Sequence, residues 1–115
     1  MLIAEWCVRW PAAFTKAVPL AVGFSGQIKA ALRAEGNPVD RKRLSMAIHL
    51  WTRQSAYLRA VAHGEMRRNL DGSEAGLPDD AARQEAQRLL DKRVERHAER
   101  ARWERERNLA AAPTA

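Results

Sequence analysis

The sequence predicts a mainly α protein: a compact domain of about five helices with one short β-hairpin and a charged helix protruding at its C-terminal end. Three observations lead there. Apolar residues recur at helical spacing from Leu2 to Val94. The pair Asp71-Gly72 sits between two short runs and supplies the turn of a hairpin. Beyond Val94 the apolar stripe fades and charges of both signs take over.

The N-terminal stretch places Leu2, Ile3, Trp6, Cys7 and Trp10 at helical spacing, which predicts a short helix that Pro11 ends or redirects. Pro11 to Pro19 is a short link, and Gly23 to Gly26 leads into a helix over residues 27–35 with Ile28, Ala31 and Leu32 inward. Ser25 reads as the cap of that helix, and Gly36-Asn37-Pro38 as its end. Asp40 is the expected N-cap of the central helix, in which Leu44, Ala47, Ile48 and Trp51 form the buried face. Arg41, Ser45, His49, Thr52 and Arg53 form a polar, mostly cationic face opposite. After a break at Gln54-Ser55, Tyr57, Leu58 and Val61 support a second short helix ended by Gly64. Residues 67–70 and 74–77 then read as the two strands of the hairpin, and Asp-Gly supplies the positive φ of its turn. Pro78-Asp79-Asp80 opens the last helix, whose stripe is Ala82, Ala86, Leu89, Leu90 and Val94. Spacing predicts ion pairs of Arg88 with Asp91, Lys92 with Glu95, Arg96 with Glu99, Arg100 with Glu104 and Arg102 with Glu106. The tail from about Leu109 is expected to be disordered.

A chain of 115 residues is one domain with room for a single modest core. Its net charge of +6 and pI near 10.4 point to an anionic partner. Residues 29–68 hold nine Lys/Arg against three acids, so the excess is concentrated around the central helix. The single cysteine, Cys7, excludes an internal disulfide and reads as a small helix-face residue. No apolar run approaches the roughly 20 residues that span a bilayer. The first residues lack a basic n-region and carry Glu5, so a cytoplasmic protein is expected.

The sequence carries no enzyme signature. Gly23-Phe24-Ser25-Gly26 is one residue short of a nucleophile elbow and has no recognisable Asp/His partners. No Gly-Lys-Ser/Thr follows it, which excludes a phosphate loop. His49, His63 and His97 fall on three separate elements, without the close pairing of a metal site. No cofactor or metal is expected. The candidate residues are instead Arg41, Lys42, His49, Arg53, Tyr57, Arg59, Arg67 and Arg68, cations that can flank one tyrosine from several sides. Such an arrangement suits a phosphate backbone with a base stacked on an aromatic ring. Tyr57 is also readable as a core aromatic; because Leu58 and Val61 already supply a core face, the functional reading is favoured. The imidazole of His49 can donate to phosphate or stack on a base.

These pieces carry a resemblance. Pro11-Ala12-Ala13-Phe14, Pro19-Leu20-Ala21-Val22-Gly23, the helix RLSMAIHLWT, the Tyr57-Leu58 pair and Arg67-x-Asn69-Leu70-Asp71-Gly72 with Gly76 resemble, in order and spacing, the ProQ/FinO family of bacterial RNA chaperones. The likeness runs from about Leu2 to Leu90. It implies a FinO-like fold that binds structured RNA, typically the base of a terminator hairpin and its 3′ single-stranded tail, in regulation by small RNAs. It implies that Tyr57 lies on a concave RNA-binding face, that Arg67 opens the hairpin, and that Arg41 is the basic position at the start of the central helix. The chain departs from the family pattern at Ala21, Ser55-Ala56 and Asn69.

The expected partners are therefore structured RNAs, small RNAs and mRNA 3′ ends among them, with no membrane and no small-molecule substrate. The expected layout is an RNA-binding domain over residues 1–95 and a charged helical extension with a tail over 96–115. A monomer is expected, as no extended heptad seam is evident. Two rival classes remain: a DNA-binding helix-turn-helix regulator, and a protein-interaction module working through the C-terminal helix, where Trp103 stands among charges.

Overall fold

The computed structural model describes residues 2–111 and contains six helices: α1 (Leu2–Arg9), α2 (Pro11–Phe14), α3 (Phe24–Ala34), α4 (Arg41–Thr52), α5 (Ser55–Ala62) and α6 (Asp80–Ala111). The additional element is α2. Trp10 leaves the helical conformation ahead of the proline, and Pro11 then occupies the first helical position, where its missing N–H costs nothing. The resulting turn buries Ala13 and Phe14, so Pro11 opens a helix as well as ending one.

The core is aromatic at its centre. Trp6 of α1, Phe14 of α2 and Trp51 of α4 pack in series at tilted and edge-on angles, with ring centroids 5.3 Å apart at both steps. Ile28, Leu44, Ala47, Tyr57, Leu58, Val61 and Ala86 extend the cluster from α3 to α6, and Ala13, Leu20 and Leu70 join it from α2 and the loops. The Cys7 thiol donates to the Phe14 carbonyl at 3.1 Å and so ties α1 to α2. The α4 cap is as expected, with Asp40 Oδ1 accepting from the N–H groups of Lys42 and Arg43. The α3 cap is not, because the helix begins earlier, behind a left-handed Gly23, and Ser25 lies within its first turn.

The hairpin is reduced to isolated bridges. Arg68 pairs antiparallel with Glu74 and parallel with Leu20, so residues 19–21 lie on the other side of the same segment. The turn also differs from a two-residue Asp-Gly turn. Gly72 N–H donates to Asn69 C=O and Asn69 N–H to Ser73 C=O, while only Gly72 has a positive φ. That is a three-residue loop closed by a glycine bulge. A Cβ on Gly72 would lie 2.6 Å from Cβ of Ala12, so the bare glycine also lets the turn seat on α2.

α6 is one continuous helix of 32 residues, capped by the Asp79 carboxylate, which accepts from Ala82 N–H at 2.8 Å. At 1.5 Å per residue it is about 48 Å long, and it dominates the 70 × 32 × 20 Å dimensions of the molecule. Its first half packs on α5 through Ala82, Ala86, Leu89 and Leu90, while Val94 is exposed. Leu109 to Ala111 are helical, contrary to the expected disorder; the remainder of the expected tail lies outside the described residues. The ion pairs differ as well. Arg88 pairs with Glu85, Arg83 with Asp80, and Asp91 accepts from Gln87. Among the described residues none of the five expected pairs forms, because on a solvated helix each competes with alternatives worth a similar few tenths of a kcal/mol.

Candidate nucleic-acid interface

The structure separates the eight candidate residues into three groups. The first lies on α4. With Asp40 holding the helix start and Leu44, Ala47 and Trp51 turned to the core, Arg41, Lys42 and His49 are left exposed along an open groove. Ser45 and Met46 complete its lining. Met46 and Leu50 are both more than half exposed, so this face is cationic with apolar patches. The sequence signal was available: Met46 and Leu50 lie one helical turn apart, off the buried stripe.

The second group surrounds the Leu20 peptide. Leu20 N–H donates to the Tyr57 hydroxyl at 3.1 Å, and the Arg67 guanidinium donates to the Leu20 carbonyl at 2.9 Å. Neighbouring backbone groups are tied to the hairpin, with Arg68 N–H donating to the Pro19 carbonyl and Ala21 N–H to the Arg68 carbonyl, both at 2.8 Å. The Arg68 side chain reaches back to the Gly72 carbonyl. The loop 19–23, α5 and the hairpin are thus joined at one point.

Here the ring of Tyr57 departs from the expectation. It is 7% exposed and belongs to the core cluster, so its faces are packed against protein and no base stacks on them in this arrangement. The reason is the position of α5, which the body covers on one side and α6 on the other; Tyr57, Leu58, Ala60 and Val61 are all buried. Burial pushes the Tyr57 hydroxyl pKa up, and the Leu20 N–H and the nearby Arg67 charge only partly oppose it. Tyr57 therefore stays a neutral phenol at ordinary pH.

The third group, Arg53 and Arg59, is exposed on the α4–α5 corner and on α5. Arg53 closes α4, and its carbonyl accepts from Arg93 of α6. Glu85 is held below the usual carboxylate range by its bond to Arg88, with the charges of Arg88, Arg53 and Lys92 adding to the effect.

Gln27 was missed. Its side-chain N–H donates to Asn69 Oδ1 at 2.8 Å and its carbonyl accepts from Leu70 N–H at 3.1 Å, which fixes the hairpin turn on α3. No local pattern marks a glutamine that pairs 42 residues away. Among the described residues no three His, Cys, Asp or Glu side chains gather as a metal site, and no helix is long and apolar enough to cross a membrane.

Residues 1–103 match the sequence model of the ProQ/FINO family. The fold is similar to that of NMB1681 from Neisseria meningitidis MC58, described as a FinO-like RNA chaperone. The TM-score is 0.64 at 24% identity, over 76% of this chain and 87% of that one.

Proposed function

This chain belongs to the ProQ/FINO family, and from that premise we propose that it is an RNA-binding protein and RNA chaperone. Its ligands in this reading are structured RNAs, above all terminator-type hairpins ending in a 3′ single-stranded tail, and its role is post-transcriptional regulation by small RNAs. Residues 1–95 form the RNA-binding body and 96–115 an extension.

The observation that carries the reading is the pair of polar groups closed around Leu20. Both have capacity left. The Tyr57 hydroxyl accepts from Leu20 and still has its own hydrogen to donate, while Arg67 has spent one of five N–H donors. The free ribose hydroxyls of a 3′ end at this junction meet the half-buried Arg67 guanidinium as a charge-assisted donor, held in place by a backbone already fixed on both sides. Tyr57 thus contributes by fixing the Leu20 peptide that Arg67 also holds, in place of stacking a base.

The α4 groove supplies the second component. Arg41, Lys42 and His49 face duplex phosphates, and A-form RNA offers a protein shape, phosphates and 2′-hydroxyls more than base edges. Arg53, Arg59 and Arg68 add to the local positive field. Chaperoning follows from shielding the 3′ end and screening the repulsion between complementary strands; the reading requires no bond to be made or broken.

The test is a salt titration of affinity for a terminator hairpin with a free 3′-hydroxyl tail, against the same hairpin with a 3′ phosphate or no tail. The altered RNAs should bind more weakly at every salt concentration. Arg67→Ala should weaken the intact hairpin by about tenfold, the scale of one hydrogen bond to a charged group, and Arg100→Ala far less. Equal binding of all three RNAs with a steep salt dependence leaves only counterion release and rejects the pocket. Duplex DNA displacing the hairpin as well as RNA does would favour the helix-turn-helix rival.

A further inference from the structure

α6 leaves the body along its own core-facing seam. Ala82, Ala86 and Leu89 join the core at alternating steps of four and three residues. The same steps continue through Arg93, Arg96, Arg100, Trp103 and Arg107, which therefore share one stripe of the helix. Where the helix passes the edge of the body, the seam changes from alanine and leucine to arginine and tryptophan.

Arg93 marks the edge. It is partly buried, and its guanidinium donates to Ser55 Oγ at 2.9 Å and to the Arg53 carbonyl, at the corner between α4 and α5. Beyond it Arg96, His97, Arg100 and Trp103 line an open groove, with Glu99 and Glu106 also bordering it. Among the described residues Arg96, Arg100 and Arg107 are in no ion pair, although this helix is rich in glutamate. Trp103 is 57% exposed, and its ring carries the Arg107 guanidinium 4.8 Å from its centroid.

We infer that this stripe is a second RNA site, one that takes an unpaired strand: Arg96, Arg100 and Arg107 hold phosphates while Trp103 stacks a base. The inference rests on the RNA-binding reading of the body and adds to it a surface for a different part of the RNA. Unpaired arginines around an exposed indole combine the two components of single-strand binding, a cationic track and a stacking platform. Duplex RNA would use the cations and leave the ring idle, since its bases are already stacked. A second copy docking the same stripe would set arginine against arginine. From Arg93 to Arg107 the stripe runs about 21 Å, long enough for several nucleotides, and it begins beside Arg53 at the border of the body. A strand leaving a hairpin held by the body can follow it outward.

The experiment uses the full chain and two probes. One is a short oligouridine closed by a 3′ phosphate, which removes the free end that the body reads; the other is the tailed hairpin with its 3′ hydroxyl. Trp103→Ala should weaken the oligouridine by about tenfold, the scale of one base stacked on an aromatic ring, and the hairpin by less than about twofold. Trp103→Phe should restore most of the loss, which a purely structural role for the indole would not predict. The double variant Arg96→Ala with Arg100→Ala should reduce the oligouridine salt slope by about 1.4, or about 0.7 for each phosphate no longer held. Oligouridine affinity insensitive to both changes overturns the inference, even when the hairpin still depends on Arg67. Loss of hairpin binding in wild type would instead strike the reading of the body. Self-association without RNA that Trp103→Ala abolishes also overturns the inference, and assigns the stripe to a protein contact.

Discussion

α4 and α5 are consecutive amphipathic helices with cations among their polar residues, yet one is a surface element and the other an interior one. α4 buries Leu44, Ala47 and Trp51 out of 12 residues, keeps Ile48 and Thr52 half-buried and shows the other seven to solvent. α5 buries four of eight residues, Tyr57 among them, because α6 lies across the side that the body leaves open. A polar side chain on α4 is therefore free to meet a ligand. A polar side chain on the covered side of α5 is instead held inside the packing, as the Tyr57 hydroxyl is where it meets the Leu20 N–H. The same hydrophobic spacing thus leads to different roles, according to what covers the second face.

Substitutions can break or sharpen this contrast. The largest effect belongs to the interior helix: Tyr57→Ala should cost about 3–5 kcal/mol in denaturant unfolding, as for other buried aromatics. Tyr57→Phe keeps the packing and strands the Leu20 N–H, for about 1–3 kcal/mol. A cost for Tyr57→Ala no greater than for a surface arginine would dissolve the distinction between the helices.

Alkaline titration sharpens it further. Burial holds the Tyr57 pKa above its ordinary 10.0, so the folded state keeps the phenol proton more tightly than the unfolded chain does. That contribution is complete below pH 10 and is lost as pH rises through the raised value. Wild-type stability should therefore fall above pH 10 more steeply than that of Tyr57→Phe, read from melting temperature against pH. Parallel curves would place the phenol in water.

On α4 the expected effects are smaller. Asp40→Ala removes an acceptor for two backbone N–H groups and should cost about 1 kcal/mol. Arg41→Ala and Lys42→Ala should change stability by no more than about 0.5 kcal/mol, while each lowers the salt slope of hairpin binding by about 0.9. Unchanged slopes would move the duplex contact away from this groove.

Much of this arrangement was legible from local pattern. The Asp40 cap, the stripe of α4, the end of α5 at Gly64 and the start of α6 at Pro78 to Asp80 each depend on residues within one or two turns of each other. The motifs of the ProQ/FINO family were legible for the same reason, as short runs in a fixed order. Misreadings arose where two local solutions were equally good. Ser25 and Gly23 both suit a helix start, and Arg88 has Glu85 on one side and Asp91 on the other. The hairpin was placed correctly but its turn was not, because Asp-Gly fits a two-residue loop as well as a bulged one, and the packing of Gly72 on Ala12 favours the latter.

The sequence by itself determined the five longer helices, the Asp40 cap, the basic character of α4 and the change of chemistry along α6, since all of these follow from neighbours three or four residues apart. Only the tertiary structure decided that Tyr57 is interior and that its hydroxyl and Arg67 meet at Leu20, 37 and 47 residues away along the chain. It also decided that Gln27 locks the hairpin and that Arg93 pins α6 to the α4–α5 corner. Those contacts form when the core closes and α6 covers α5, and burial on a second face is a property of the packed elements that no periodicity within one element records.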